Sequence, residues 1–113
     1  MTASIYLEAG GRLKLAKGFP RGQDLGEIEF YVHSVHGEHK QVFLIMQDEQ
    51  GLLEIIELNF DRVDKGYPYK IYKVSLRQSV RLSEGMVHIK LMTLDLDTAQ
   101  YTVSNDIPVY LTT

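Results

Sequence analysis

Apolar and polar side chains alternate along most of this chain, and this period of two constrains the fold more than any other feature. Between Glu27 and His33, the apolar residues Ile28, Phe30 and Val32 occupy every second position. Successive side chains of a β-strand point to opposite faces of its sheet, so the pattern is typical of a strand with one buried and one solvated face. It recurs in five further segments: 5–7, 13–15, 72–76, 86–92 and 107–111.

Three segments need separate interpretation. Val42–Met46 is a continuous apolar run, short enough to be a strand covered on both faces. Leu53–Phe60 mixes a helical with an alternating period, and we interpret it as one strand because Gly51 and a polar turn at 61–66 bound it. In the last segment, Pro108 has no N–H to donate, which places that strand at a sheet edge or starts it there.

Turn-forming residues recur about every 8 to 14 positions, as at Gly10-Gly11, Asp48–Gly51 and Asn105-Asp106. Short strands with tight turns favour an all-β fold, an antiparallel sandwich or a small barrel. We predict a single β-sandwich domain over residues 1–113, with eight or nine short strands. Strand content should lie well above about 40%, with no helix longer than about two turns.

The inward positions of these strands should form the core. They are Ile28, Phe30, Val32, Leu44, Ile56, Leu58, Val74, Leu76, Val87, Ile89 and Leu91. Two segments interrupt the strand pattern. Residues 17–24 form a loop rich in glycine and proline, and residues 79–84 are compatible with one helical turn between two sheets.

Composition excludes several classes of protein. Apolar residues make up 44% and charged residues 24% of the chain, which suits a folded domain. The net charge is −3 without a basic stripe, so nucleic acid is not an expected partner. There is no cysteine, hence no disulfide or thiolate site. We see no secretory signal and no apolar run near the roughly 20 residues that span a bilayer, so we expect synthesis in a cytoplasm and no membrane contact.

The histidines offer a candidate metal site. His33, His36 and His39 recur at every third position, with Glu38 beside them. They fall at a strand end and a turn, where side chains diverge, whereas a metal needs three or four converging ligands. We therefore favour a solvated turn and predict no metal.

Catalytic signatures are lacking. The acidic pairs Asp61/Asp64 and Asp95/Asp97 fall in predicted turns, where aspartate usually caps local backbone groups. Neither a Gly-x-Ser-x-Gly elbow nor a glycine-rich phosphate motif occurs in the sequence. We predict that the protein is not an enzyme and uses no cofactor.

The tyrosines carry more information. Stacked rings on a sheet bind sugars, although sugar platforms favour tryptophan, which this chain lacks. Outward tyrosines also suit a protein interface, and plain cross-strand packing is a third interpretation. We predict an interface formed by Phe19, Pro20, Tyr67, Tyr69 and Tyr110.

The segment from Tyr69 to Leu111 resembles a known family. A strand (Tyr69–Leu76) is followed by a polar bridge ending at Gly85, a long strand, a turn and a terminal strand. This arrangement resembles the N-terminal immunoglobulin-like domain of baseplate and receptor-binding-apparatus proteins in phages of Gram-positive hosts. Those proteins usually continue into a coiled coil or further domains, and this chain ends at Thr113. The resemblance therefore implies a small head-fibre, decoration or adaptor component more than a baseplate hub.

The resemblance implies a virion structural protein that acts by protein–protein docking. Its expected partners are copies of itself and a larger virion protein, with the first and last strands as docking edges. The expected location is the virion. A carbohydrate-binding β-sandwich module, using the tyrosines at 67–72 or the loop with Phe19, is the alternative.

Overall fold

The structure, a computed structural model, describes residues 2–16, 27–37, 40–75 and 85–111. These ranges hold one four-residue helix, α1 (Ser34–Gly37), and ten strands: β1 (Thr2–Leu7), β2 (Leu13–Leu15), β3 (Glu27–His33), β4 (Lys40–Asp48), β5 (Leu53–Glu57), β6 (Asn59–Val63), β7 (Tyr69–Ser75), β8 (Gly85–Asp95), β9 (Tyr101–Val103) and β10 (Ile107–Leu111). Strands make up 68% of these residues, which confirms the all-β prediction. No helix in the described ranges is long and apolar enough to cross a bilayer.

The ten strands form two sheets. Sheet A has the order β2-β1-β3-β7-β6, and sheet B has the order β10-β8-β4-β5, with β9 also paired to β8. All pairs are antiparallel except β1 and β3, which run parallel from Thr2↔Glu27 to Leu7↔Val32. The prediction that the first strand is an edge is therefore wrong, because β1 lies between β2 and β3. The last strand, β10, does lie at an edge, as Pro108 indicated.

The inward faces of the two sheets pack into one core. Sheet A contributes side chains from β1, β2, β3 and β7, and sheet B contributes side chains from β4, β8 and β10. Nine of the predicted core residues are buried: Ile28, Phe30, Val32, Leu44, Leu58, Val74, Val87, Ile89 and Leu91. Ile56 is only partly buried, because β5 is an edge strand, and Leu76 lies outside the described ranges.

The predicted strand at Leu53–Phe60 is in fact two strands in different sheets. β5 pairs with β4 in sheet B, and β6 pairs with β7 in sheet A. The change of sheet occurs at Leu58, which is 4% exposed and whose N–H donates to the carbonyl of Val42 at 2.9 Å. The final predicted segment, 107–111, is β10, and β9 is a further strand that the alternation did not predict. For these two reasons the expected count of eight or nine strands is not confirmed among the described residues.

Loops and outer faces show further departures from the sequence predictions. β4 is not covered on both faces by any described element: Val42, Leu44 and Met46 are in the core, whereas Phe43 and Ile45 are half-buried on the outer face. Residues 34–37 form α1 instead of a plain turn. The predicted loop at 17–24 and helical turn at 79–84 lie outside the described residues.

Candidate functional site

The predicted interface residues that the structure describes lie on both sheets. Tyr69 is half-buried on the outer face of sheet A, and Tyr110 lies on the outer face of sheet B. Tyr67 is 67% exposed in the turn between β6 and β7. Phe19 and Pro20 lie outside the described residues. Among the described members, Tyr110 therefore lies on a different sheet from Tyr69 and from the turn that carries Tyr67.

The outer face of sheet A carries a tyrosine cluster formed by Tyr6, Tyr31 and Tyr69. The parallel pairing of β1 with β3 sets Tyr6 opposite Tyr31, and their rings stack with centroids 4.7 Å apart and an interplanar angle of 23°. Tyr69 packs edge-on against Tyr6, with centroids 5.3 Å apart, and against His33 at 5.6 Å. Ile71, the partner of Tyr31 in the register, is buried on this same outer face at 1% exposure.

Hydrogen bonds to carboxylates fix the cluster further. The Tyr69 hydroxyl donates to Glu8 Oε2 at 2.8 Å, which raises the pKa of Tyr69 to about 12, with burial adding to the shift. Burial, together with the charge of Glu29, raises the pKa of Tyr31. A sugar platform needs an open aromatic face, whereas Tyr6 and Tyr31 cover each other's faces. The geometry of these two rings therefore favours cross-strand packing.

We expect Tyr69 to titrate near pH 12, well above the pH of about 10 typical of a free tyrosine. Because folding raises this pKa, the Tyr69–Glu8 contact stabilises the fold fully below about pH 10 and is lost as the pH rises through the folded-state pKa. Glu8→Gln should move the midpoint back toward 10. The measurement is tyrosinate absorbance during alkaline titration, with Tyr69→Phe identifying the transition. An unchanged midpoint in Glu8→Gln would contradict the assigned cause.

An ion-pair network borders the cluster on β6. The Arg62 guanidinium donates to Glu29 Oε2 at 2.8 Å and to the carboxylate of the adjacent Asp61. Both contacts raise the pKa of Arg62, and the contact with Asp61 has the larger effect. Lys73 Nζ lies 3.7 Å from Asp61 Oδ2. Asp61 was predicted to cap a turn, but it lies within β6, where the register shifts, and pairs with cations instead. Exposed pairs of this kind contribute little to stability.

The outer face of sheet B carries apolar side chains on four neighbouring strands, with Gln47, Glu57, His88 and Lys90 on the same face. We call this surface the apolar band; its members are Leu53, Ile55, Ile45, Phe43, Met92, Leu94, Tyr101 and Val103. The register places four of its pairs directly opposite each other: Ile55 and Ile45, Phe43 and Met92, Met92 and Val103, and Leu94 and Tyr101. Leu53 is opposite Gln47, and Ile45 is opposite Lys90 on its other side. Leu53 and Ile55 are each 54% exposed, Tyr101 is 65% exposed and Val103 is 46% exposed. The charged Lys90 lies on the same face, within 3.6 Å of Asp106.

The histidines that the structure describes do not converge. His33 packs against Tyr69, and its Nδ1 accepts the Val35 N–H at 3.3 Å. His36 Nε2 bonds to the carbonyl of Ala9 at 2.8 Å, whereas His39 is not among the described residues. No group of three potential metal ligands occurs in the described ranges.

The turn at 95–99 behaves as the sequence predicts. Asp95 Oδ1 accepts the backbone N–H of Asp97 at 2.9 Å and that of Thr98 at 3.3 Å. Ala99 adopts a left-handed φ of 59° at the end of the turn. The carboxylate of Asp95 therefore acts as a backbone cap.

A cleft of approximately 260 Å³ lies between the two sheets, beside the β1–β2 turn and α1. Its hydroxyl groups are already engaged: Thr93 Oγ1 and Thr102 Oγ1 are 2.6 Å apart, and Ser104 Oγ accepts the Leu91 N–H at 2.9 Å. The volume is also below the roughly 300 Å³ at which ligand pockets begin. This cleft is a poor candidate for a small-molecule site.

Sequence reasoning missed the apolar band because each of its strands, taken alone, looks half-buried. Phe43 and Ile45 were assigned to a strand covered on both faces, and Leu53 and Ile55 to an ambiguous segment. Only the strand order places them on one surface.

No protein-family model matches the chain, and no curated protein matches it in sequence. The apolar band is therefore the candidate functional site on structural grounds alone.

Proposed function

We propose that this protein is a structural component of a bacteriophage particle that acts by protein–protein docking and has no catalytic activity. The observation that carries the docking role is the apolar band. Monomeric soluble proteins rarely expose contiguous apolar patches larger than a few hundred Å² without using them to bind. The band is rich in Leu, Ile, Met and aromatic side chains, and the cores of protein interfaces are enriched in apolar and aromatic groups.

We also propose that the sandwich is of the immunoglobulin type, and the strand order supports this. Sheet A contains the order β1-β3-β7-β6, which corresponds to A-B-E-D, and sheet B contains β10-β8-β4-β5, which corresponds to G-F-C-C′. Three features depart from that plan, the first being β2, an additional strand at the edge of sheet A. β1 runs parallel to its neighbour β3, and the chain has neither the paired cysteines nor the tryptophan of antibody domains.

The virion assignment rests on the resemblance over residues 69–111. That segment includes β7, β8, β9 and β10, so it supplies half of the apolar band. Docking to a larger virion protein would bury the band, with Tyr101 and Val103 near one margin. The protein would thus reside in the particle as an adaptor, decoration or fibre component.

The carbohydrate-binding alternative has narrower support. Tyr67 keeps an exposed ring, but the faces of Tyr6 and Tyr31 are stacked on each other. A sugar would therefore have to use the rings at the turn rather than the cluster on the sheet.

Val103→Lys should abolish incorporation of the protein into phage particles while leaving the fold intact. The substitution puts an unpaired charge into an interface that excludes water, which is strongly unfavourable. The measurement is the amount of protein in gradient-purified particles, with circular dichroism of the isolated variant as a check on folding.

Val63→Lys is the matched control, since Val63 is also exposed but lies on β6 of the other sheet. It should leave incorporation unchanged. Absence of the wild-type protein from particles would overturn the proposal, as would equal incorporation of the two variants. Millimolar-or-better oligosaccharide binding by a protein absent from particles would favour the carbohydrate module.

A further inference from the structure

The edges of the two sheets differ in how well they are protected against further pairing. β2 has three residues, and its Leu13 N–H already donates to Asn105 Oδ1 at 2.7 Å. β6 carries a register shift beside Asp61 together with a charged pair, and the edge formed by β9 and β10 is interrupted at 104–106 and contains Pro108. Short length, bulges, charges and proline are the usual devices that block edge pairing.

β5 carries two of these charges, Glu54 and Glu57, but it has neither a proline nor a bulge. Its sequence, Leu-Glu-Ile-Ile-Glu, contains no proline and no cation, and it pairs with β4 over five consecutive residues without a shift in register. Within the described ranges, β4 is its only strand partner. Leu53 and Ile55 are exposed on its outer side. An edge strand of this kind is a template for pairing with another strand.

The backbone polarity of β5 follows from the hydrogen bonds at its two ends. The Asp48 N–H donates to the Leu52 carbonyl at 3.1 Å, and the Leu58 N–H donates to the Val42 carbonyl at 2.9 Å. Leu52 and Leu58 thus both bond to residues of β4. In an antiparallel ladder every second residue of a strand bonds to the same neighbouring strand, so the even-numbered residues of β5 bond to β4. The N–H and C=O groups of Leu53, Ile55 and Glu57 therefore point to the open edge.

A second copy of the same strand fits this edge. With a two-fold axis at Ile55, antiparallel pairing sets Ile55 opposite Ile55 of the second copy and Leu53 opposite its Glu57. Every outward N–H then meets an outward C=O, because odd-numbered residues of one strand face odd-numbered residues of the other. Glu54 faces Ile56 of the second copy, so no two carboxylates are directly opposed. A two-fold axis at Glu54 would put carboxylates in direct opposition, which is destabilising, and an axis at Ile56 would leave Leu53 without a partner in β5.

We propose that the protein forms a symmetric homodimer through antiparallel pairing of β5 with β5 of a second copy, centred on Ile55. This inference rests on the proposed docking function, for which it names one partner. The dimer joins two copies of sheet B into one continuous sheet and places two apolar bands side by side on the same side of it. The contact is isologous, so it closes at two copies and does not propagate into a fibre.

Cysteine scanning gives the sharpest test, because the chain has no cysteine of its own. Hydrogen-bonded partners in an antiparallel pair have Cα atoms about 5.5 Å apart, within the disulfide range of about 4.4–6.8 Å. Oxidised Ile55→Cys should therefore accumulate as a covalent dimer. Leu53→Cys is the matched control: Leu53 is equally exposed at 54%, but the two Leu53 Cα atoms would lie roughly 13 Å apart or more. It should form no covalent dimer under the same oxidation.

Sedimentation velocity of the unoxidised proteins gives an independent readout. The wild type should sediment as a dimer, and Ile55→Pro should lose the dimer. This proline removes an N–H that points away from β4, so the ladder within the monomer is retained. Val103→Lys should remain dimeric even though it is expected to lose particle incorporation.

Three results would overturn the inference. They are a monomeric wild type, equal crosslinking of Ile55→Cys and Leu53→Cys, and dissociation by Val103→Lys, which would indicate packing between faces instead of edges. A monomeric wild type that still enters particles would refute the dimer and leave the proposed function standing.

Discussion

Replacing Phe30 with alanine should lower the free energy of unfolding by about 3–5 kcal/mol. Phe30 is fully buried at the centre of sheet A, between Ile5 on β1 and Tyr72 on β7. The substitution removes a large apolar side chain from the hydrophobic core, so its transfer free energy is lost. It also leaves a cavity that the closely packed strands on both sides cannot close. The measurement is the urea concentration at the midpoint of unfolding, which should fall while the slope of the unfolding free energy against urea concentration (the m value) stays constant.

Phe60→Ala is the control for this change, since it deletes the same atoms from a side chain that is 55% exposed on edge strand β6. Its ring contacts Tyr72 edge-on, with centroids 5.7 Å apart, so a loss of about 1 kcal/mol is expected. Similar losses for both variants would mean that the assignment of the inward face of β3 is incorrect.

Leu58→Ala should destabilise the protein by about 2–5 kcal/mol. Leu58 is the buried residue at which the chain leaves sheet B and enters sheet A, and it packs in the core shared by both sheets. Its loss creates a cavity at the point where the two layers are joined by the backbone. Chemical denaturation monitored by circular dichroism measures the effect.

Leu96→Ala provides the comparison, because Leu96 is 61% exposed in the turn after β8. A change of about 0.5 kcal/mol or less is expected there. If Leu58→Ala were as mild as Leu96→Ala, the connection between β5 and β6 could not contribute to the core as described.

The alternating pattern predicted the core because burial on one face of a strand is a local property. Phe30, Val74 and Ile89 are buried as the period of two requires. The same pattern failed at Leu53–Phe60, since alternation continues through Leu58 while the chain changes sheets. At Ile71 the alternation gives the correct face but the wrong burial. Ile71 lies on the outer face of sheet A, where the pattern implies exposure, yet it is buried beside the tyrosine cluster.

The candidate surfaces depend on strand order, which local pattern does not specify. Tyr6 joins Tyr31 only because β1 runs parallel to β3, and a hairpin between them would have given a different register. Ile55 and Val103 belong to one band only because β4 and β8 lie between β5 and β9. Tyr110 was correctly placed on an outward strand position, although it lies at the other end of β8, beside Met86.

The parallel pairing of β1 with β3 also affects how quickly the chain folds. β1 reaches its neighbour β2 through a tight turn, so that hairpin can form early, within about 1–10 μs. The pairing of β1 with β3 and the pairing of β4 with β8 both join residues that are far apart in sequence. The chain therefore loses loop-closure entropy before the contacts between these strands can stabilise it. Refolding is therefore expected on the scale of milliseconds to seconds that is typical of β-sandwiches. Until β1 and β8 are in place, the unpaired strands of both sheets are exposed to pairing with other chains.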